Sequence, residues 1–496
     1  MFLSGLQYLL SNPMSVVIMC MGIFGGIIFG SIPGLTSALA LILVIPFTYS
    51  LQPVIGMSLL IGIYVGAISG GLIAAILLNI PGTPSSIATC WDGYPMAVKK
   101  GQPGKAISIG LFSSLIGGLI SAVLLILIAP QLARVALTFG PWELFALGMM
   151  GLLVVISLTG KDKLKGFISA VLGLLIAMVG MDPVSGIARM TFGVWQLSAG
   201  FESLSLMMGL LALGEILNQT FQLGTVYEKY GTKGLSFIPP FKDLKGCWKT
   251  LLVSGLMGTY VGILPGIGGN VASLLAYNQA RQSSKNPEAF GTGIPEGIVA
   301  SEAANNAVNG GAMIPMMTLG IPGDLNTAIM MGGLMIMGLQ PGPLLFKTQA
   351  PLMGAIMVGY LLANIFMYLI EFGFMRFFIK ALEVPKRLLL PVIVVCCIIG
   401  CYAVNNRVFN VGVLVVSGIL AFLFQQLEIP TAPMILGFIL GPVCEKNFRT
   451  ALIMSEGNLD YIFRRPVAVA LLALGVFFAF WPTISSWIRR RRVGKQ

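Results

Sequence analysis

The chain has 496 residues, of which 56% are hydrophobic and 10% charged, with a mean hydropathy of +0.91 and a net charge of +12. So little charge excludes a soluble domain of this length. The positive balance does not mark a nucleic-acid binder, because the basic residues sit in short loops between apolar runs.

Read from the N-terminus, no basic stretch precedes the first apolar run, so 14–30 is expected to be a span rather than a cleaved signal. The first charged residue is Asp92. Further runs at 106–129, 144–158, 166–180, 352–371, 388–404, 412–424 and 467–487 are long enough, or nearly so, to cross a bilayer. An all-α polytopic membrane protein with about 12 transmembrane helices is predicted. Seven cysteines are scattered and odd in number, so no disulfide framework follows. Cys396, Cys397 and Cys401 read as small apolar residues of a helix rather than a metal cluster. Histidine is absent, which removes the commonest general base and imidazole ligand. With no nucleophile motif and no paired catalytic carboxylates, the chain is not expected to be an enzyme.

One passage occurs twice. GSIPG at 30–34 returns as GILPG at 262–266, IPGTPSS at 80–86 as IPGDLNT at 321–327, and Gln102-Pro103-Gly104 as Gln340-Pro341-Gly342. Pro33 to Pro265 is 232 residues, Pro81 to Pro322 is 241, and Gln102 to Gln340 is 238. Three ordered matches at a nearly constant offset imply a duplication, with one repeat over 1–235 and the other over 236–496. Loop charge suggests how they are related. Basic residues are many, few, many at 99–105, 131–141 and 159–166, but few, many, few at 338–343, 376–387 and 404–408. That opposite phase predicts repeats inverted in the membrane. The central loop with Lys229, Lys233, Lys242, Lys245 and Lys249, and the C-terminus with Arg489 to Arg492, are then cytoplasmic. Residues 445–466, expected outside, fit poorly because they hold Lys446, Arg449, Arg464 and Arg465.

Pro-Gly breaks a helix, and a broken helix at membrane depth survives only where protein or a watery cavity satisfies its backbone. Freed N–H groups favour an anion and freed carbonyls a hard cation. The alternative is a pair of proline kinks with packing glycines. The duplication and its polar flanks favour a site, giving as substrate-binding candidates Pro33, Gly34, Pro81, Gly82, Thr83, Ser85, Ser86, Gly266, Asn270, Pro322, Gly323, Asn326 and Thr327. No Lys or Arg lies between 1 and 98 or between 286 and 346, so backbone N–H groups, hydroxyls and amides would do the holding. Asp324, Glu302 and Asn306 are the candidates for cation coupling. Glu302 could equally be a buried hydrogen-bonding group. Glu296 is expected to cap a helix and Asp92 to lie at the interface. The glycine-rich 262–269 stretch lacks the Lys-Ser/Thr of a phosphate loop.

The motifs GSIPGLT (30–36), NIPGTPSSIATCWDGYPMAVKKGQPGKA (79–106), GILPGIGGN (262–270), EGIVASEAANNAVNGG (296–311), GIPGDLNTAIMMGG (320–333) and GLQPGP (338–343) resemble the large membrane subunit of the tripartite tricarboxylate transporters, over essentially the whole chain. That resemblance implies a bacterial inner-membrane carrier that imports carboxylates, citrate among them, on a Na⁺ or H⁺ gradient. It implies two partners: a small four-span membrane subunit and a periplasmic solute-binding protein. No cofactor or metal is expected beyond Na⁺ as a coupling ion. A stand-alone carboxylate carrier or a channel is the alternative.

Overall fold

The computed structural model describes residues 1–157, 163–182, 185–220, 241–266, 268–477 and 479. Expectations for Lys229, Lys233 and the basic C-terminus lie outside the described residues. Proline sets many helix starts, since its fixed φ and missing N–H suit a first turn. In chain order the helices are α1 (Phe2–Leu10), α2 (Pro13–Ser31), α3 (Ser37–Thr48), α4 (Pro53–Leu78), α5 (Ile87–Tyr94), α6 (Pro103–Ala136), α7 (Pro141–Ser157) and α8 (Lys163–Ala177). A two-stranded antiparallel hairpin, β1 (Gly180–Met181) and β2 (Ala188–Arg189), follows. Then come α9 (Ser203–Met207), α10 (Gly214–Thr220), α11 (Trp248–Ile263), α12 (Gly268–Ser283), α13 (Pro295–Leu319), α14 (Leu325–Ile336), α15 (Pro343–Thr348) and α16 (Ala350–Ala381). The last four are α17 (Lys386–Asn405), α18 (Val408–Gln426), α19 (Ala432–Met454) and α20 (Pro466–Phe477).

Six of these, α2, α4, α6, α16, α17 and α18, are long and apolar enough to cross a membrane among the described residues. The sequence led us to expect about twelve. The difference has a physical cause. The Pro-Gly breaks leave short apolar helices such as α3 and α14, with 12 residues each. α13 is long enough, but it carries two glutamates and three asparagines.

The chain forms two compact units, and both draw on both sequence repeats. Unit 1 comprises 1–134 and 219–404; unit 2 comprises 135–218 and 405–496. In unit 1, α4 is packed all round: 94% of its most apolar window is buried. It pairs with α2, and α11 pairs in the same way with α13. A Cβ on Gly30 of α2 would run into the Ala67 carbonyl, and one on Gly262 of α11 into the Val308 carbonyl. Small residues let such helices approach closely. These are equivalent contacts, since Gly262 is Gly30 displaced by 232 and Val308 is Ala67 displaced by 241.

Unit 2 packs α19 against α7 and α8. A charged cluster braces one end of it. Arg189 donates to Glu445 at 2.5 Å and 3.2 Å, while Arg449 donates to both Asp182 oxygens at 2.7 Å and to Glu445 at 3.3 Å. Arg465 pairs with Glu143 at 3.8 Å. Two of the four basic residues that fitted poorly in 445–466 are thus bound to carboxylates of the same unit.

Candidate functional site

The breaks are built alike in the two repeats. After α2, Ile32 turns extended (φ −85°, ψ 117°); after α11, Leu264 does the same (φ −80°, ψ 115°). Gly34 and Gly266 then take φ of +91° and +82°, a left-handed backbone for which glycine carries no Cβ penalty. α4 ends on left-handed Asn79 (φ 56°, ψ 29°), and α13 on Gly320 (φ 68°, ψ 28°), one position before Ile-Pro-Gly in each case. Gly82 and Gly323 fit tightly behind these breaks, since a Cβ on either would meet the carbonyl of Gly30 or Gly262 respectively. The Gly266 N–H donates to the Gly323 carbonyl at 2.7 Å, tying the two breaks of the second repeat together.

The half-helices that follow the breaks pair across the repeats. α3 packs against α14, and α12 against α5 and the short turn Pro84–Ser86. Each pairing assembles a polar cluster in unit 1.

The first cluster surrounds Asp324, the N-cap of α14. Its Oδ1 accepts from the Thr327 N–H at 2.8 Å and the Thr327 hydroxyl at 2.7 Å; its Oδ2 accepts from the Tyr64 hydroxyl at 2.8 Å and from Asn326 Nδ2 at 3.4 Å. The Thr327 hydroxyl also lies 2.9 Å from the Asp324 N–H, which closes a capping box. Ser37 Oγ donates to Asn326 Oδ1 at 3.0 Å. These four hydrogen bonds to the carboxylate cap α14 and tie it to α4 through Tyr64.

The second cluster is the counterpart of the first. Thr83 stands for Asp324, Ser85 for Asn326, Ser86 for Thr327 and Asn305 for Tyr64, each displaced by 241; Gly269 stands for Ser37, displaced by 232. Thr83 Oγ1 lies 2.9 Å from Ser86 Oγ and 3.1 Å from Ser85 Oγ. A Cβ on Gly269, at the start of α12, would lie 2.9 Å from Ser85 Cβ and 3.1 Å from Asn305 Oδ1. Asn305 is 1% exposed, yet neither its amide nitrogen nor its amide oxygen has a hydrogen-bond partner. Leaving such a group unpaired costs roughly 1–3 kcal/mol. This cluster holds no carboxylate, and it lies at the N-terminal end of a 16-residue helix, where partial positive charge favours an anion.

A third cluster surrounds Glu302 on α13. Its carboxylate accepts from Thr89 at 2.5 Å, Ser114 at 3.0 Å and Asn306 Nδ2 at 3.3 Å, and among the described residues no cation pairs with it. Asn305 stands beside it without a hydrogen bond of ordinary geometry.

The structure therefore gathers Thr83, Ser85 and Ser86 in one cluster, Asn326, Thr327 and Asp324 in another, and Glu302 with Asn306 in a third. Pro81 and Pro322 precede the half-helices. Pro33 and Gly34 form the turn after α2, where the Gln219 side chain donates to the Gly34 carbonyl. Asn270 begins α12 with its side chain exposed. Tyr64, Ser37, Asn305, Thr89 and Ser114 were not among the expected site residues. The repeat offsets would have found Asn305 and Tyr64 together, since each is the image of the other. Asp92 is fully buried: its Oδ1 accepts from the N–H groups of Gly291, Gly293 and Ile294, and its Oδ2 from the Tyr277 hydroxyl, so it anchors the loop before α13. Glu296 sits in the first turn of α13 and accepts from Thr250 and Ser284.

Residues 16–436 match the Tripartite tricarboxylate transporter TctA family. The chain belongs to this family. It is 36% identical over 478 residues to a 52.8 kDa protein of Agrobacterium vitis from the TAR-I ttuC' 3' region, covering 96% of this chain and 95% of that one. It is also 37% identical over 232 residues to a protein of the same organism from the TAR-II ttuC' 3' region, covering 46% of this chain and 96% of that one. No solved structure matches it. Membership in a TctA family, with six apolar helices of spanning length, makes the chain a multi-pass membrane protein of a transporter family.

Proposed function

We propose that the chain is the large membrane subunit of a secondary carrier that imports a di- or tricarboxylate across the bacterial inner membrane. It would receive substrate from a periplasmic binding protein and work beside a small four-span subunit, driven by a Na⁺ or H⁺ gradient. The observation that carries this reading is the second cluster. Asn305 presents an unpartnered amide beside Ser85, at the N-terminal end of α12. A substrate carboxylate would accept from the Asn305 Nδ2, the Thr83–Ser85–Ser86 hydroxyls and the free N–H groups of α12. Glu302, next to Asn305, would sense that charge and take part in cation coupling together with Asn306.

The equal backbone of the two breaks and the crossed pairing of the half-helices support a duplicated architecture. Together with the opposite phase of loop charge they support inversion of one repeat in the membrane. Alternating access would move the substrate-carrying helices against a scaffold. The test is uptake and counterflow of labelled carboxylates in proteoliposomes containing both membrane subunits, with the cognate binding protein added. Uptake that requires the binding protein, and counterflow that saturates, are expected. Flux without counterflow would mean a channel, and full uptake without the binding protein a stand-alone carrier.

A further inference from the structure

Glu371 is a buried carboxylate that neither repeat motif nor the clusters above employ. It lies on α16 at 0% exposure. Its Oε2 accepts from the Ser69 hydroxyl of α4 at 2.6 Å, and its Oε1 has no hydrogen-bond partner. Among the described residues no lysine or arginine forms an ion pair with it.

The helices around it explain why. α1, α2 and α4 pack against α16 and contain no Asp, Glu, Lys or Arg; their titratable groups are Tyr8, Cys20 and Tyr64. α15 brings only Lys347, which is exposed. α6 touches α16 through Ser121 and Tyr360, and its cations are Lys105, paired with Asp243 at 2.6 Å, and the exposed Arg134. On α16 itself Arg376 and Lys380 are exposed. α13 brings Glu302, itself held by Thr89, Ser114 and Asn306.

A lone carboxylate in such a place is costly as an anion, by several kcal/mol, unless it binds a proton or a cation. A divalent hard cation gathers about six or more oxygens in protein sites, and among the described side chains only the carboxylate and one hydroxyl converge here. A proton needs far less. With Glu371 ionised, Ser69 donates to it. With Glu371 protonated, the acid donates, and the Ser69 hydroxyl can turn to a carbonyl of its own helix. The exchange moves no heavy atom far.

We propose that Glu371 is a proton-binding site that loads and unloads one proton in each transport cycle. The proton adds to the carboxylate from one aqueous phase and leaves to the other, with no further reactant. The position suits coupling. Ser69 is two residues from Gly71, and a Cβ on Gly71 would meet the hydroxyls of Thr83 and Ser86. α4 therefore touches Glu371 on one face and the second cluster on the nearly opposite face, two residues later. This inference rests on the carrier reading, and its test is chosen to separate the two.

Infrared spectra of the purified full-length chain, titrated from acid to alkaline pH, report the C=O stretch of protonated carboxyl groups whether or not the protein transports. We expect a band that persists where exposed carboxyls are ionised, is lost in Glu371→Gln, is retained in Glu302→Gln, and is shifted but present in Glu371→Asp. A wild-type spectrum without such a band, or one unchanged in a folded Glu371→Gln protein, overturns the proposal. In proteoliposomes with both membrane subunits and the binding protein, Glu371→Gln should lower pH-gradient-driven uptake by roughly 5- to 150-fold, the usual size of a coupling effect, while counterflow persists. Uptake that keeps its full response to the pH gradient in Glu371→Gln also overturns it. Absence of any carboxylate uptake or counterflow by the wild type would sink the carrier reading, and the infrared band would still decide the protonation of Glu371.

Discussion

Tyr64 and Asn305 stand at the same place in the two repeats, 241 residues apart, and only one of them is bonded. The Tyr64 hydroxyl donates to Asp324 at 2.8 Å; the Asn305 amide has no partner. The duplication has thus yielded one closed cluster and one with spare hydrogen-bonding capacity, and the asymmetry sets different expectations for equivalent mutations.

On the open side, Asn305→Ala removes a group that makes no hydrogen bond in the protein alone. It should leave thermal stability near that of the wild type and weaken substrate affinity by roughly 0.5–3 kcal/mol, the worth of one hydrogen bond, more when its partner is charged. Transport KM and the melting temperature, measured on the same preparation, check this. A change in stability with no change in KM would place Asn305 in packing. Asn305→Tyr, which imports the residue of the closed side, should abolish uptake by filling the space beside Ser85.

On the closed side the order reverses. Asp324→Ala deletes the cap of α14 and strands the Tyr64 hydroxyl, for a cost of roughly 0.5–2 kcal/mol from the cap alone. Asp324→Asn keeps an acceptor and should cost less. Melting temperature should fall in both while the KM of the folded fraction stays put. A well-folded Asp324→Asn protein whose uptake loses its dependence on Na⁺ or H⁺ would instead make Asp324 a coupling residue.

Close packing of the breaks predicts a third contrast. Gly30→Ala and Gly262→Ala each push a methyl into a carbonyl of the neighbouring helix, and overpacking of this kind costs roughly 1–3 kcal/mol. Gly25→Ala, where nothing lies within 4 Å of the added carbon, is the control. Equal yields of folded protein for all three would mean that α2 and α4, or α11 and α13, separate more easily than their packing implies.

Inversion of the repeats has a labelling test. In a cysteine-free background, Lys163→Cys should react with a membrane-impermeant thiol reagent from the cytoplasmic side and Arg407→Cys from the opposite side. Reaction of both from one side would leave two repeats in parallel orientation.

Much of the site could be read from the sequence because glycine and proline announce backbone geometry directly. Gly34, Gly266 and the Ile-Pro-Gly runs at 80–82 and 321–323 are helix-breaking sequences, and the structure breaks at each. What was not legible is partnership. Nothing in the sequence says that Ser37 reaches Asn326, or that Ser69 meets Glu371 across 302 residues, because such bonds depend on how helices cross. Asp92 shows the same limit: nothing in the sequence says that three backbone N–H groups and the Tyr277 hydroxyl converge on it. Length and composition mark only six spans among the described residues for a related reason. Hydropathy measures how well a helix suits lipid, and helices such as α13 are lined by protein instead.

α4 and α17 carry this distinction to its extreme. Both are apolar enough to cross a bilayer, yet 94% of the α4 window is buried and only 28% of the α17 window. Leu388, Val392, Val395 and Ile399 form an outward stripe along α17. Lipid tails conform to any apolar shape, whereas a packed interior does not. A saturation scan of the two helices would therefore return opposite codes. Along the α17 stripe any greasy residue should serve, so selection there reads only polarity. Along α4 it should read volume, and leucine, isoleucine and phenylalanine would cease to be synonyms.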